Sequence, residues 1–194
     1  MTDTKDPTAG ARQQTLDRST LRKKGLLMVH TGKGKGKTTA ALGLVFRAWG
    51  QGKRVCVIQF IKAETGNWGE VKAARKLGID WFKSGDGFTW LSKDLEESAA
   101  LARHGWATAQ EKITSGDYDL VVLDEFTYPM HYGWLAVEDV VDWITEHKPE
   151  DLHLVITGRY AAPELVEAAD LVTDMTKVKH PMDAGIKAQA GIEY

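Results

Sequence analysis

The sequence has little cysteine and no long hydrophobic run. Cys56 is the only cysteine among 194 residues, which excludes an internal disulfide and a cysteine-based metal cluster. It lies between Val55 and Val57, in an apolar run that predicts a buried strand. No apolar run approaches the roughly 20 residues of a membrane-spanning helix, and the N-terminus lacks an apolar stretch of signal-peptide length. We therefore expect a cytoplasmic protein with no membrane partner.

The chain also has little net charge, at −2. Nucleic-acid-binding domains are usually markedly basic, so the charge balance argues against nucleic acid as a partner. The six histidines are scattered and show no metal-ligand spacing. Hydrophobic residues at 43% and charged residues at 27% are what an ordinary globular domain carries.

The length suits one domain that is preceded by a polar segment. Residues 1–24 lack a core pattern and carry several basic side chains. Taken by themselves they are best interpreted as a disordered leader. From residue 25 to residue 194, short apolar runs alternate with helical segments, and we assign this range to a single domain.

The alternation predicts an α/β fold with a mostly parallel, six-stranded sheet covered by helices on both faces. Near-continuous apolar strands are typical of such sheets, and their ligands bind beyond the carboxyl ends of the strands. The predicted strands are Leu26–Val29, Val55–Ile61, Ile79–Phe82, Leu120–Leu123, Leu152–Thr157 and Leu171–Val172. The predicted helices lie near residues 37–49, 67–77, 94–115, 136–147 and 163–169.

A phosphate-binding loop follows the first predicted strand. A strand, a glycine-rich turn ending in Gly-Lys-Thr and a helix form the layout of this motif. Backbone N–H groups and the helix N-terminus would hold an anion, and Lys37 would neutralise phosphate oxygens. The candidate nucleotide-binding residues in this loop are Gly32, Lys33, Gly34, Lys35, Gly36, Lys37, Thr38 and Thr39. The chain is therefore expected to bind a nucleoside triphosphate.

The loop departs from the common G-x-x-x-x-G-K-[ST] spacing. Thr31 stands where the first glycine belongs, and counting from Gly32 leaves the loop one residue short. Lysines also alternate through it, an unusual density of positive charge. The departure suggests that the triphosphate is not held in the usual way for phosphoryl transfer.

Polar residues follow two further strands. Asp124 and Glu125 end the apolar run 120–123, as in a Walker B element that holds Mg²⁺ (or Mn²⁺) opposite the loop threonine, Thr38. Arg159 follows another apolar strand and would reach the same edge, where a guanidinium could bind phosphate. A solvated arginine is the alternative interpretation of Arg159.

Two aromatic segments lie in predicted loops. Residues 85–90 place Phe88 and Trp90 two positions apart beside glycines, and residues 128–134 follow the acidic pair. Large aromatics in loops are poorly buried unless they face a ligand or a partner. The site is therefore expected to have a phosphate half and a broad apolar half.

Taken together, these motifs resemble the ATP:corrinoid adenosyltransferases of the CobA/BtuR type, over nearly the full length. The resemblance includes the short threonine-led loop, residues 59–62, 87–90, 121–125 and 157–159, and the C-terminal residues 179–194. In that family Co(I) of a corrinoid attacks the ribose C5′ of ATP, a cobalt–carbon bond forms and triphosphate leaves. ATP is bound in the reverse sense to most phosphate-loop proteins.

The resemblance also implies roles for individual residues and partners. Phe88 and Trp90 would displace the lower axial ligand of cobalt, which makes Co(II) easier to reduce, and Lys37 would stabilise the departing triphosphate. Residues 1–24 would order as a lid when the corrinoid binds. The enzyme would be a homodimer that receives electrons from a reduced flavoprotein.

Two other functions fit the phosphate loop alone. An ordinary phosphate-loop ATPase or kinase would release ADP or transfer the γ-phosphoryl group, and a non-enzymatic nucleotide-sensing or RecA-like module would only bind. The short loop and residues 87–90 count against the ATPase or kinase. The near-neutral charge counts against a nucleic-acid-binding module, and a regulatory module would not need a charge-dense loop joined to an aromatic pocket. The sequence does not distinguish cobalamin, cobinamide and cobyrinic acid a,c-diamide as substrate, nor does it identify the reductase.

Overall fold

The fold is an α/β sandwich around one sheet. The computed structural model describes residues 21–61, 68–84 and 95–193. Within these ranges six strands form the sheet: β1 (Leu27–Thr31), β2 (Val55–Phe60), β3 (Asp80–Ser84), β4 (Leu120–Asp124), β5 (His153–Thr157) and β6 (Leu171–Asp174). Their order is β3-β2-β4-β5-β1-β6, and each pair of neighbours is parallel. The predicted α/β fold with a six-stranded parallel sheet is confirmed.

Helices cover both faces of this sheet. They are α1 (Lys37–Gly50), α2 (Gly69–Leu77), α3 (Leu95–Thr114), α4 (Thr127–His131), α5 (Val137–His147) and α6 (Pro163–Ala168). Buried side chains of α1 and α2 pack on one face against Met28, Val57 and Val122. Buried side chains of α3, α5 and α6 pack on the other face against Val29, Ile58 and Leu123. Alternate residues of each strand therefore serve two separate cores.

The predicted elements differ from the observed ones mainly at the carboxyl ends of the strands. The apolar runs ended at Val29, Phe82 and Leu123, whereas the strands continue to Thr31, Ser84 and Asp124. Of these added residues, His30, Thr31, Ser84 and Asp124 are polar but buried, so an apolar pattern alone cannot detect them. Helix α4 and a short 3-10 helix at Pro181–Ala184 were not predicted, because neither is long enough to show a helical repeat.

The carboxyl edge of the sheet carries unusual backbone geometry. Three non-glycine residues have positive φ: Ile61 at 70°, Glu125 at 62° and Tyr160 at 60°. They follow the ends of β2, β4 and β5, respectively. Left-handed backbone is costly for such residues and concentrates at functional sites. The geometry therefore points to the same edge that holds the phosphate loop.

None of the described helices has both the length and the apolar character needed to cross a membrane.

Candidate nucleotide-binding site

The phosphate loop lies between β1 and α1. Gly36 immediately precedes α1 with a φ of 110°, a left-handed conformation that glycine adopts without strain. No side chain of the described residues caps the helix there. The first N–H groups of α1 therefore face the loop without a side-chain acceptor, an arrangement that suits an anion.

The chain that leaves β6 packs directly on this loop. The Gly34 N–H donates to the Met175 carbonyl at 2.6 Å, and the Met175 N–H donates to the Thr31 carbonyl at 2.9 Å. A β-carbon on Gly34 would come within 2.6 Å of the Met175 oxygen, and one on Gly32 would overlap Asp174. The two glycines are thus required because a second backbone passes against the loop.

Lys37 reaches back into the loop that precedes it. Its Nζ donates to the carbonyls of Gly32 at 2.8 Å and Gly34 at 2.6 Å. Burial lowers the pKa of Lys37, and the nearby Arg159 guanidinium lowers it further. Two cationic groups are therefore within electrostatic reach of each other at the loop, although Lys37 and Arg159 are 122 positions apart in sequence.

The other predicted loop residues differ in exposure. Lys35 forms an ion pair with Glu193 near the C-terminus. Lys33 and Thr39 are exposed, whereas Thr38 is half-buried at the start of α1. Lys37 and Thr38 are thus less exposed than Lys33, Lys35 and Thr39.

Asp124 is held in place by both neighbouring strands. Its side chain is 1% exposed. Gln59 Nε2 on β2 donates to Oδ2 at 2.9 Å, and Thr157 Oγ1 on β5 donates to Oδ1 at 2.7 Å. The same threonine oxygen accepts the Glu125 N–H at 3.0 Å. Gln59 and Thr157 were not predicted as site residues, since the residue each contacts is 65 or 33 positions away.

The loop after β5 is fixed against α4. Thr127 Oγ1 donates to the Arg159 carbonyl. Gly158 has a φ of 145°, and a β-carbon there would overlap the Thr127 hydroxyl. The Arg159 side chain is exposed at this edge. Its charge lowers the pKa of Lys37. Burial raises the pKa of Tyr128, and the Arg159 charge opposes that rise.

Beyond Arg159 lies a cluster of aromatic rings that we call the aromatic shelf, comprising Tyr128, His131, Tyr132, Trp134 and Tyr160. His131 and Tyr160 stack with ring centroids 4.2 Å apart, and Tyr132 lies 5.0 Å from Trp134. Tyr128 lies 6.0 Å from Tyr132 and 6.4 Å from Tyr160. Tyr132 and Tyr160 are 41% and 48% exposed, so the shelf offers flat ring surface to a ligand. Residues 128–134 were predicted to lie near this edge; Tyr160 was not.

Phe88 and Trp90 lie outside the described residues, so their predicted role stays a prediction. Within the described ranges, no group of three or more His, Cys, Asp or Glu side chains could hold a metal ion. A metal at Asp124 would therefore need the hydroxyl of Thr38 and ligand oxygens to complete its coordination. Mg²⁺ is commonly bound in this way, by one or two carboxylates together with substrate phosphates and water.

The fold and this edge define a phosphate-loop nucleotide-binding protein. Residues 23–194 match the family model of ATP:corrinoid adenosyltransferase BtuR/CobO/CobP. The chain belongs to this ATP:corrinoid adenosyltransferase family, as its motifs indicated.

Curated relatives agree with this assignment. A corrinoid adenosyltransferase of Sinorhizobium sp. is 40% identical over 173 residues, covering 88% of this chain and 81% of the relative. Corrinoid adenosyltransferases of Escherichia coli strain K12 and Pseudomonas aeruginosa are each 42% identical over 173 residues. They cover 88% of this chain and 86% and 84% of the relatives, respectively.

Proposed function

We propose that this protein transfers the 5′-deoxyadenosyl group of ATP to the Co(I) centre of a corrinoid. The electron pair on Co(I) forms the Co–C5′ bond, and the pair of the breaking C5′–O bond leaves with triphosphate. The reaction serves adenosylcobalamin biosynthesis or salvage. Family membership supports the proposal, and so does the geometry of the site.

The observation that carries this proposal is the position of Arg159. Arg159 directly precedes Tyr160 of the aromatic shelf, and its charge acts on Lys37 in the phosphate loop. The cationic half and the aromatic half of the site therefore meet at one residue. A triphosphate bound by the first half would have its nucleoside directed toward the second, where a planar ring system could lie.

The chemistry requires positioning and charge stabilisation from the protein. Because Co(I) is itself the nucleophile, no side chain has to act as one. The protein must hold C5′ in line with cobalt and stabilise the charge that collects on the leaving triphosphate. Lys35, Lys37, Arg159 and the loop N–H groups are suited to the second task. Lys33, Thr39 and the loop glycines Gly32, Gly34 and Gly36 complete the proposed ATP-binding set.

A Mg²⁺ or Mn²⁺ ion would be held by Thr38, Asp124 and Glu125. The fixed carboxylate of Asp124 and the half-buried Thr38 hydroxyl offer the oxygen ligands that these hard cations prefer. When bound, the ion would neutralise charge on the phosphate oxygens. Glu125 has a left-handed backbone at the end of β4, which sets the direction of the chain beside that carboxylate.

The remaining parts of the proposal rest on the resemblance. Phe88 and Trp90 would displace the lower axial ligand, and residues 1–24 would cover the bound corrinoid. A reduced flavoprotein would supply electrons to Co(II), and the enzyme would act as a homodimer in the cytoplasm.

Anaerobic incubation with ATP, Mg²⁺ and chemically generated cob(I)alamin tests the function. We expect the corrinoid spectrum to change to that of the adenosylated form, with one triphosphate released per corrinoid converted. ADP and inorganic phosphate with an unchanged corrinoid spectrum would instead identify an ATPase. Omission of the corrinoid is the control, and it should abolish triphosphate release.

A further inference from the structure

Gln59 is a fully buried polar residue next to the carboxyl end of β2, the end that lies at the candidate site. It is 0% exposed, and its Nε2 donates to Asp124 Oδ2 at 2.9 Å. The apolar neighbours Ile58 and Phe60 account for the strand, but they do not explain an amide at this position. A glutamine side chain is seldom buried unless its amide forms hydrogen bonds.

Gln59 belongs to a row of polar side chains on neighbouring strands. It is in register with Asp124, and His30 is in register with Thr157. Each of these four residues lies two positions after a residue of the core that packs under α1 and α2. Gln59 follows Val57, Asp124 follows Val122, His30 follows Met28 and Thr157 follows Val155. Because side chains alternate along a strand, the four share the sheet face that α1 covers. The row thus lies on the side of the phosphate loop's own helix.

The oxygen of the Gln59 amide has no hydrogen-bond partner among the described residues. Asp124 is a carboxylate and accepts hydrogen bonds, so the Gln59 NH₂ group must face it and Oε1 must face elsewhere. No residue in the described part of the chain donates to Oε1, although the atom is buried. Buried polar atoms are nearly always paired, so each exception needs a physical explanation.

We propose that Gln59 is a positioning residue for metal-bound ATP. Its Nε2, together with the Thr157 hydroxyl, orients the Asp124 carboxylate, and its Oε1 accepts a hydrogen bond from a water on the bound metal ion. This inference rests on the proposed ATP–Mg²⁺ site. An ionised triphosphate offers only acceptors, so it cannot satisfy Oε1. Mg²⁺ usually retains several waters in protein sites, and each of them is a donor.

The test compares ATP affinity with and without metal in the full chain. Gln59→Met keeps the approximate volume and removes both the donor and the acceptor. We expect its affinity for ATP in saturating Mg²⁺ to fall by about tenfold, the lower end of losses for residues that orient metal ligands. In EDTA, its affinity should stay within about twofold of the unsubstituted protein. Isothermal titration calorimetry measures both values.

Two results would overturn the inference. Equal weakening with and without Mg²⁺ would mean that Oε1 meets a ribose hydroxyl or that the substitution disturbs the whole site. Unchanged affinity for ATP in both conditions would mean that the Gln59 amide has only a structural role within the sheet. Thermal unfolding of the ligand-free variant adds a second measurement. A merely structural amide would lower the melting temperature without the metal-specific loss.

Thr157 provides a parallel pair of variants in case Gln59→Met does not fold. Thr157→Val removes the hydroxyl that orients Asp124 and should show the same metal-specific loss. Thr157→Ser keeps the hydroxyl and should restore the affinity in Mg²⁺. If Thr157→Val binds Mg²⁺–ATP normally, the orienting part of the inference is wrong. If the unsubstituted protein binds no Mg²⁺–ATP, the proposed function itself fails, and the two failures are thereby distinguished.

Discussion

At the scale of single residues, Lys37 is the side chain on which nucleotide binding most depends. Its ammonium is half-buried inside the loop and donates hydrogen bonds to two loop carbonyls. Lys37→Ala should weaken ATP binding by about a hundredfold, the range seen when one member of a buried charge pair is lost. Equilibrium binding of ATP in Mg²⁺ measures the effect. Lys53→Ala is a matched control, because Lys53 is an exposed lysine just before β2, at the opposite edge of the sheet.

The prediction for Phe88 and Trp90 concerns the reduction of Co(II) rather than the binding of ATP. If they displace the axial ligand, replacing either with Ala should reduce turnover from Co(II) with a reducing system far more than turnover from pre-reduced Co(I). Loss of the axial donor is what makes Co(II) easier to reduce, and Co(I) no longer needs that help. Steady-state assays from both oxidation states measure the ratio. Equal losses would show that the two rings only contact the corrin.

Residues in the candidate site could be predicted where a local motif carries them. Lys37 and Asp124 could be proposed as site residues because each stands next to a strand or turn with a recognisable pattern. Gln59, Thr157 and Glu193 were missed because their partners are 65, 33 and 158 positions away, respectively. Such pairings depend on strand order, and the sequence predicted the parallel sheet without predicting which strands are neighbours.

At the scale of elements, the loop after β5 contributes a ring to the aromatic shelf. Tyr160 has a left-handed backbone and stacks on His131. Tyr160→Gly should relieve the backbone strain, so the melting temperature should not fall. The affinity for corrinoid should fall about tenfold, because one stacking contact is lost. Tyr160→Phe keeps the ring and should bind corrinoid normally. Fluorescence titration with cob(II)alamin measures the affinity, and an unchanged value for Tyr160→Gly would exclude the ring from the site.

The C-terminal segment makes a second prediction at this scale. Glu193 pairs with Lys35 of the phosphate loop, and a triphosphate would compete for the same lysine. Glu193→Gln should therefore raise ATP affinity by up to about fivefold at low salt, the range of a partly exposed ion pair. The gain should shrink at high salt, where such pairs are screened. Weaker binding by the variant would instead mean that Glu193 holds Lys35 in its binding position.

Secondary structure was predicted best where a single physical preference dominated. Strands β1, β2, β4 and β5 were located because they are buried on both faces and read as apolar runs. Strands β3 and β6 are more exposed and were located from their apolar runs alone. Helix α3 carries apolar residues at helical spacing in the sequence, and all of those described are buried: Ala99, Ala102, Trp106, Ala109 and Ile113. Helix α4 was missed because it is five residues long and contains Pro129. Its place is set by packing of Met130 and Phe126 into the core, which no local pattern reveals.

At the scale of the whole molecule, the sheet ends in an exposed apolar strand. Within the described ranges β6 pairs with β1 alone, and Leu171 and Val172 are 41% and 39% exposed. Proteins seldom leave an apolar edge strand bare, because it invites association. The homodimer implied by the family resemblance would give this edge a partner.

We therefore expect the chain to have the mass of two subunits in multi-angle light scattering, and Val172→Asp to convert it to a monomer. A carboxylate at an exposed edge position costs the isolated subunit little, but it would be desolvated without a partner charge in an apolar interface. Phe46→Asp is the matched control, because Phe46 is an exposed apolar residue on α1 and should leave the mass unchanged. A dimer that survives Val172→Asp would place the interface elsewhere, and a monomeric unsubstituted chain would contradict the dimer itself.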